Sequence, residues 1–412
     1  MADESVGRFR QVVEVRGHII DSLVLPRILD QLLDLGVEFD IQELTVGRTR
    51  TSPSYARIEI LAATPERLDA ALNAVQAQGA TPVALDDAEL RPSPRDGVLP
   101  EGFYSTTNLQ TWIRVGGHWL PVAYPEMDCA VVVERGRAEC VPIADVRAGQ
   151  LVVVGHRGVR VEPLERPRGP EPLFAFMGST VSSEKPKALA IREAARWLRE
   201  SRAAGGKNLV VAGPAVIHSG CREHLCRLID AGYVDYLFAG NALAVHDVEA
   251  ALYGTSLGMP LAGGPKPEGG HQHHLRAINR IRAAGGLRAA VEAGVIREGV
   301  MYTCVRRGVD FVLAGSIRDD GPLLEVITDT TCAQQAMRAR IRQGVRVALM
   351  LSTMLHSIAV GNLLPASVHA VCVDVNPAVL TKLADRGSFQ TIGLVMDVGG
   401  FLRDLLDELM GS

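Results

Sequence analysis

The last third of the chain leaves little freedom of fold. It holds three short apolar runs. Residues 346–351 run into Ser352, Thr353 and His356; 370–373 run into Asp374, Asn376 and Pro377; 391–396 run into Asp397, Val398, Gly399 and Gly400. Each run has the length of a strand, and each polar or small ending opens a helix. Strands that alternate with helices of ten or more residues specify a parallel sheet with helical cover. In an open parallel sheet, ligands sit outside the carboxyl ends of the strands. An acidic residue at such an end is where a nucleotide-binding fold grips a ribose hydroxyl. The segment therefore points to a dinucleotide-binding α/β fold.

The rest of the chain sets bounds on that reading. A length of 412 residues suits two or three domains with sizeable cores. A formal net charge of −4 offers no general attraction to nucleic acid or anionic lipid, so no nucleic-acid or membrane partner is expected. Seven scattered cysteines form no paired framework and fit reduced thiols in the cytoplasm. The start, MADESVGRFRQ, has no apolar core of a signal peptide. The longest apolar stretch, 344–365, contains Arg346, His356 and Asn362 and is too polar for a membrane span.

Three domains are expected. Residues 1–90 read β-α-β-β-α-β, the order of a ferredoxin-like α+β domain. Residues 98–166 carry short strands about every ten residues and read as a small β-barrel, with Tyr104, Trp112 and Trp119 in its core. Residues 173–412 read as a Rossmann-like, parallel-sheet domain. The Pro-rich stretches 91–97 and 165–172 read as a hinge and a linker. Residues 263–271 read as a Gly- and Pro-rich loop, and His271, His273 and His274 as solvated loop histidines, with metal or substrate contact as the alternative.

Candidate site residues follow from strand ends. No GxGxxG loop is present. Asn241 and Ala242 follow one strand, and Ser352, Thr353, Met354, Leu355 and His356 follow another. Backbone N–H groups at such turns can face an anion, although Asn241 and Ser352 also suit helix capping. Asp374 can accept ribose hydroxyls and would repel a 2′-phosphate, which favours NAD over NADP. Asp397 and Val398 repeat the design, and Gly399 and Gly400 would let backbone approach a ligand. Glu184 and Lys185 lie in a polar loop before a helix, either as substrate contacts or as a solvated linker. Arg318, Asp319 and Asp320 follow another strand, where an arginine beside carboxylates can hold a zwitterion or merely form a surface turn. Cys221, His224 and Cys226 invite a metal, but on a helix Cys226 points away from the other two, and no metal is assigned.

Five motifs carry a resemblance: Arg16-Gly-His-Ile-Ile-Asp21, Gly102-Phe-Tyr-Ser-Thr-Thr-Asn108, Met177-Gly-Ser-Thr-Val-Ser-Ser-Glu-Lys-Pro186, Val211-Ala-Gly-Pro-Ala-Val-Ile-His-Ser-Gly220 and Gly240-Asn-Ala-Leu-Ala-Val-His-Asp247. In this order they resemble the archaeal-type ornithine cyclodeaminases, or LOR/SDH-region proteins, over nearly the whole chain. The unit also looks like the C-terminal half of the cyanobacterial bifunctional arginine dihydrolase/ornithine cyclodeaminase, and the 240–254 stretch like the NAD domain of deoxyhypusine synthase. The resemblance implies conversion of L-ornithine to L-proline and ammonia with bound NAD, through a hydride that is taken from Cα and returned. It implies NAD contacts at Asn241, Ala242, Asp320, Thr353, Met354, Leu355, His356, Asp374, Asp397 and Val398. For proton transfer the first choice is Asp320, followed by Glu184, Lys185 and His218. A homo-oligomer, dimer or tetramer, is expected. Two other readings stay open: an NAD-dependent amino-acid or saccharopine-type dehydrogenase, and a non-catalytic NAD-sensing protein.

Overall fold

Alternating apolar residues build the first sheet. In the computed structural model, which describes residues 9–20, 22–49, 52–83, 86–162, 187–263, 270–319, 321–385 and 391–411, β1 (Phe9–Gly17) pairs antiparallel with β3 (Ser54–Ala62). Between them come α1 (Val24–Asp34) and β2 (Glu38–Thr45); α2 (Pro65–Ala77) and β4 (Thr81–Pro82) follow. The sheet order β2-β3-β1-β4 is that of the ferredoxin-like fold. One face buries Val13, Val15, Ile58 and Ile60 against Ile28 and Leu32 of α1 and Val75 of α2. The Thr64 hydroxyl caps α2 by accepting the Arg67 N–H, with Pro65 in the first turn, where its missing donor costs nothing.

A seven-stranded sheet follows, made of β5 (Glu89–Pro92), β6 (Thr111–Val115), β7 (His118–Ala123), β8 (Ala130–Glu134), β9 (Arg137–Val141), β10 (Leu151–Val154) and β11 (Val159–Val161). Its order is β11-β6-β7-β9-β8-β10-β5. Ala88, just before β5, donates to Arg114 O in β6, so the sheet curls back toward its far side. Two expectations change here. The Pro-rich stretch 91–97 is no hinge: Arg91 and Pro92 belong to β5, paired with β10, and Ser93 N–H donates to Gln150 O. Pro92 is tolerated because β5 is an edge strand. Of the three aromatics, only Tyr104 is core. Trp112 and Trp119 stay half-buried with the Arg160 guanidinium over both rings, at 5.2 and 4.9 Å from their centroids. A cation can stay hydrated there and still be held by the ring faces.

Residues 1–177 with 364–366 form one compact unit, and 178–363 with 367–412 a second. The second unit is the parallel sheet. It begins with α3 (Lys187–Ala203), β12 (Lys207–Ala212), α4 (Ala215–His218), α5 (Arg222–Asp230), β13 (Tyr236–Gly240) and α6 (Asn241–Tyr253). A small hairpin, β14 (Thr255–Ser256) and β15 (Met259–Pro260), leads to α7 (His273–Ala284), α8 (Leu287–Glu292) and α9 (Val300–Arg307). Then come β16 (Asp310–Ala314), β17 (Val326–Ile327), α10 (Thr330–Ile341), β18 (Val345–Leu351) and α11 (Met354–Leu363). The unit closes with β19 (His369–Asp374), α12 (Pro377–Asp385), β20 (Thr391–Val395) and α13 (Val398–Met410).

The sheet order is β17-β16-β13-β12-β18-β19-β20, with every pairing parallel. The chain starts at β12, grows outward through β13, β16 and β17, then crosses over and grows the other way from β18. The reversal makes the β12–β18 junction the topological switch point, where open α/β sheets bind ligands. The core includes Leu209, Phe238, Leu349, Val371 and Phe401, all at most 1% exposed. Each such side chain stabilises by roughly 1.5–3 kcal/mol. Among the described residues no helix is long and apolar enough to cross a membrane.

Candidate functional site

The strand ends at the switch point are held close by glycines. At Gly213, which follows β12, a Cβ would lie 2.1 Å from Ser352 O, so no other residue fits without moving backbone. At Gly240, which ends β13, a Cβ would lie 3.2 Å from His356 Cε1. The His356 ring thus reaches from the β18 end to the β13 end, across the end of β12. Thr353 Oγ1 lies 3.4 Å from His356 Nδ1, and burial lowers the His356 pKa. Ser352 adopts a left-handed φ of 49°, uncommon for a non-glycine residue and frequent at functional turns.

Asn241 does not cap its helix. Gly240 holds the capping position without a side-chain hydrogen bond, and Asn241 Oδ1 accepts the Leu323 N–H. The first turn of this 13-residue helix, from Asn241 and Ala242, therefore has no side-chain cap, and such a helix start can accept an anion. Ser352 lies one residue before the capping position of α11, which starts at Met354, and its N–H donates to Val373 O.

Asp374 ends β19 and is largely buried. Its Oδ1 accepts the Asn376 N–H at 2.8 Å, leaving Oδ2 for a ligand hydroxyl. Asn376 in turn accepts the Ala378 N–H at the start of α12. Asp397 is the cap of α13, accepting the Gly400 N–H at 2.8 Å. Gly399 has a packing reason: a Cβ there would meet Asp397 Oδ2 at 3.0 Å and Cys221 Cβ at 3.3 Å. The Val398 side chain lies in the core, so only its backbone is open to a ligand. Exposed apolar side chains line this edge: Ile317 after β16, Met354 and Leu355 after β18, and Val375 after β19. Such a rim suits a flat ring system.

His218 ends α4, the helix that leaves β12 at the switch point. Its Nδ1 lies 2.6 Å from Ser256 Oγ, and its ring centroid 4.7 Å from that of His246. Partial burial and the neighbouring His246 lower its pKa, against an opposing pull from Glu249. His246 and the buried Glu249 lie one turn apart on α6 and are joined at 3.3 Å. Sequence reasoning missed both, as well as Ser256. The available signal was a helix with His246, Asp247 and Glu249 in an otherwise apolar run, where polar residues must find buried partners.

Other expectations fare differently. Asp320, Glu184 and Lys185 lie outside the described residues. Arg318 is exposed, and Asp319 accepts the Ser316 N–H, the surface-turn alternative. His273 is no solvated loop residue. It opens α7, stacks on Tyr253 at 4.7 Å and meets Thr255 Oγ1 at 2.8 Å. The pattern misled because Gly and Pro precede it so densely; residues 264–269 and the His271 side chain lie outside the described set. Around Cys221, Arg222 pairs with Asp247 at 2.7 Å, and the described residues hold no cluster suited to a metal. A cavity of about 470 Å³ opens at the opposite, amino-terminal edge of the sheet. Its charges are already paired, Lys207 with Asp235 and Arg307 with Asp230, and it is remote from the switch point.

Fold and edge together define a Rossmann-like dinucleotide-binding protein, with a helix terminus lacking a side-chain cap, a strand-end carboxylate and imidazoles on one edge of one sheet. Family models agree. The Rossmann-fold C-terminal region of ArgZ-like arginine dihydrolases matches residues 192–405, the first C-terminal region of the same proteins matches 110–191, and the LOR/SDH bifunctional enzyme conserved region matches 10–109. The ornithine cyclodeaminase of Methanopyrus kandleri is 54% identical over 401 residues, covering 97% of each chain. The chain belongs to the ornithine cyclodeaminase family that these relatives define. Among solved structures, cyanobacterial ArgZ without ligand is 38% identical with a TM-score of 0.86, over 100% of this chain and 60% of that one. AgrE in ternary complex with ornithine and NAD+ is 42% identical with a TM-score of 0.53, over 99% of this chain and 59% of that one.

Proposed function

We propose that the protein is an NAD-dependent ornithine cyclodeaminase, converting L-ornithine to L-proline and ammonia. The observation that carries this reading is the switch-point edge, where the uncapped α6 terminus, Asp374 and His218 converge on strand ends of one sheet. The family supports the substrate, since the relatives are named for this reaction and AgrE was solved with ornithine and NAD+.

The residues present fit NAD. The N–H groups of Asn241 and Ala242 would hold the pyrophosphate, with the Thr353–His356 turn beside them. Asp374 Oδ2 would take a ribose hydroxyl, and Met354, Leu355 and the backbone of Asp397 and Val398 would flank the ligand. When bound, the cofactor supplies transient acceptance and return of the ornithine α-hydride, with no net redox change. The chain must do the rest. His218 takes a proton from the ornithine δ-ammonium, freeing that nitrogen to attack Cα, and gives a proton to the α-nitrogen as it leaves. A lowered pKa keeps the ring unprotonated and ready for the first of these steps. Asp320, Glu184 and Lys185 are the other candidates for proton transfer. Action in the cytoplasm as a homo-oligomer belongs to the same proposal, and light scattering of the purified chain tests the assembly.

Purified protein given ornithine and substoichiometric NAD should form proline and ammonia in equal amounts without accumulating NADH. Ornithine deuterated at Cα should give proline deuterated at Cα. NADH accumulating in step with substrate consumed would exclude this reading in favour of an amino-acid dehydrogenase. Nucleotide binding without turnover would favour an NAD sensor.

Asp374 gives a second expected result. Removing it in Asp374→Ala should weaken NAD and narrow the preference for NAD over NADP by roughly 1–3 kcal/mol, the scale of a hydrogen bond to a charged group. Binding titrations with both nucleotides read it directly. Equal affinity of the wild-type protein for NAD and NADP would contradict the assigned role.

A further inference from the structure

The buried carboxylate of Glu249 has more partners than a structural role on its own helix requires. It is fully buried on α6. Oε2 accepts from His246 Nδ1 at 3.3 Å and from the Leu257 N–H at 3.1 Å. Oε1 accepts from Thr255 Oγ1 at 2.8 Å and from the Gly258 N–H at 2.8 Å. Burial alone would raise its pKa, but the donors from His246, Gly258 and Thr255 outweigh it and hold the group ionised.

An ionised carboxylate only accepts, and this sets the protons around it. His246 must donate through Nδ1. The Thr255 hydroxyl must donate to Glu249, so its oxygen accepts from His273 Nδ1, 2.8 Å away. When neutral, both imidazoles therefore carry their free lone pair on Nε2. Glu249 also shapes the backbone. Leu257 and Gly258 have φ of 52° and 70°, the left-handed pair of a tight hairpin turn, and leucine adopts it poorly. The two N–H groups bound to Glu249 are those of this turn. The turn joins β14 to β15 and carries Ser256, which lies against His218 Nδ1.

Two routes thus run from one carboxylate to His218: through the His246 ring packed on it, and through the turn that presents Ser256. We infer that Glu249 is the positioning residue of this site, aligning His218 for proton transfer through His246 and the 255–258 turn. The inference rests on the ornithine cyclodeaminase reading for its activity test, but not for its spectroscopic one.

The test compares Glu249→Gln in the wild-type protein and in the His218→Gln background. Alone, it should lower kcat roughly 10- to 100-fold, the cost seen when the carboxylate behind a metal-bound imidazole is lost, with KM for ornithine within about threefold. In the His218→Gln background the same change should cost less than about threefold, because residues acting through one another are not additive. An equal loss in both backgrounds, or a rise in KM with kcat unchanged, would overturn the inference. Should Glu249→Gln fail to fold, His246→Gln takes its place with the same pattern expected, and an unchanged kcat there would also overturn it. Nitrogen NMR of the imidazoles gives a readout without turnover. His246 and His273 should show the Nδ1–H tautomer in the wild type and lose it in Glu249→Gln; the Nε2–H tautomer in the wild type would refute the network. A wild-type protein that forms no proline while showing these tautomers would refute the proposed reaction but leave the positioning role standing.

Discussion

His218→Gln is expected to lower kcat for ornithine by on the order of 10²–10⁴, the usual range for loss of a general acid/base. NAD affinity should stay within about threefold, since the proposed NAD contacts lie at the start of α6, the 353–356 turn that opens α11, the end of β19 and the start of α13 rather than on α4. The position of His218 motivates this. It ends the short helix that leaves the switch point, and it packs on His246, five residues along α6 from Asn241, about 7.5 Å up the helix. Glutamine keeps a polar side chain of similar reach but cannot move a proton near neutral pH. The pH profile adds a check. As pH falls, His218 gains a proton and can no longer act as a base, so kcat/KM should drop on the acid side. Burial and His246 lower its pKa, which puts this limb below the ordinary histidine value of about 6.5. The limb should vanish in the variant. A loss below tenfold with the limb unchanged would move proton transfer to Asp320, Glu184 or Lys185.

Asp247→Ala should destabilise the protein by about 3–5 kcal/mol, the cost of breaking a buried charge pair from one side. Asp247 is 1% exposed and joins three elements. Its carboxylate accepts from Arg222 Nε on α5 at 2.7 Å, and from the Val300 and Met301 N–H groups that start α9, at 2.9 and 2.8 Å. Burial raises its pKa more than Arg222 and the two N–H donors lower it. The intact pair is therefore no large net source of stability, yet its loss leaves two orphaned backbone donors and a mostly buried guanidinium. Arg222 keeps Glu298 at 2.9 Å, which favours the lower end of the range. Urea unfolding of both proteins without nucleotide measures the difference. A change below about 1 kcal/mol would mean that the helix start relaxes into water, contrary to this account.

Asp247 and His218 also mark the limit of what a sequence conveys. Period and punctuation are local, so the strand-helix alternation, the ferredoxin-like order and the position of Asp374 at a strand end were readable from neighbours in the chain. Helix spacing, equally local, turns Cys226 away from Cys221 and His224. Pro92 and Trp112 misled for one reason: whether a proline sits in a linker or an edge strand, or a tryptophan inside or beside an arginine, depends on strands 40 or more residues away, such as β10 and β11.

By itself, the sequence determined a parallel α/β domain with acidic and small residues at its strand ends, because burying both faces of a strand leaves a continuous apolar run that ends where the sheet ends. Only the tertiary structure decided which ends meet. The reversal of strand order after β17 sets β18 beside β12, which brings Ser352 O to within 2.1 Å of where a Gly213 side chain would begin, and carries His356 across to Gly240. It likewise decided that Glu249, buried on α6, bonds the imidazole of His246 one turn back and the N–H groups of a hairpin turn beyond the helix end. A carboxylate cannot be buried alone, but the sequence does not say which donors will satisfy it; the packing of α6 against the 255–258 turn does.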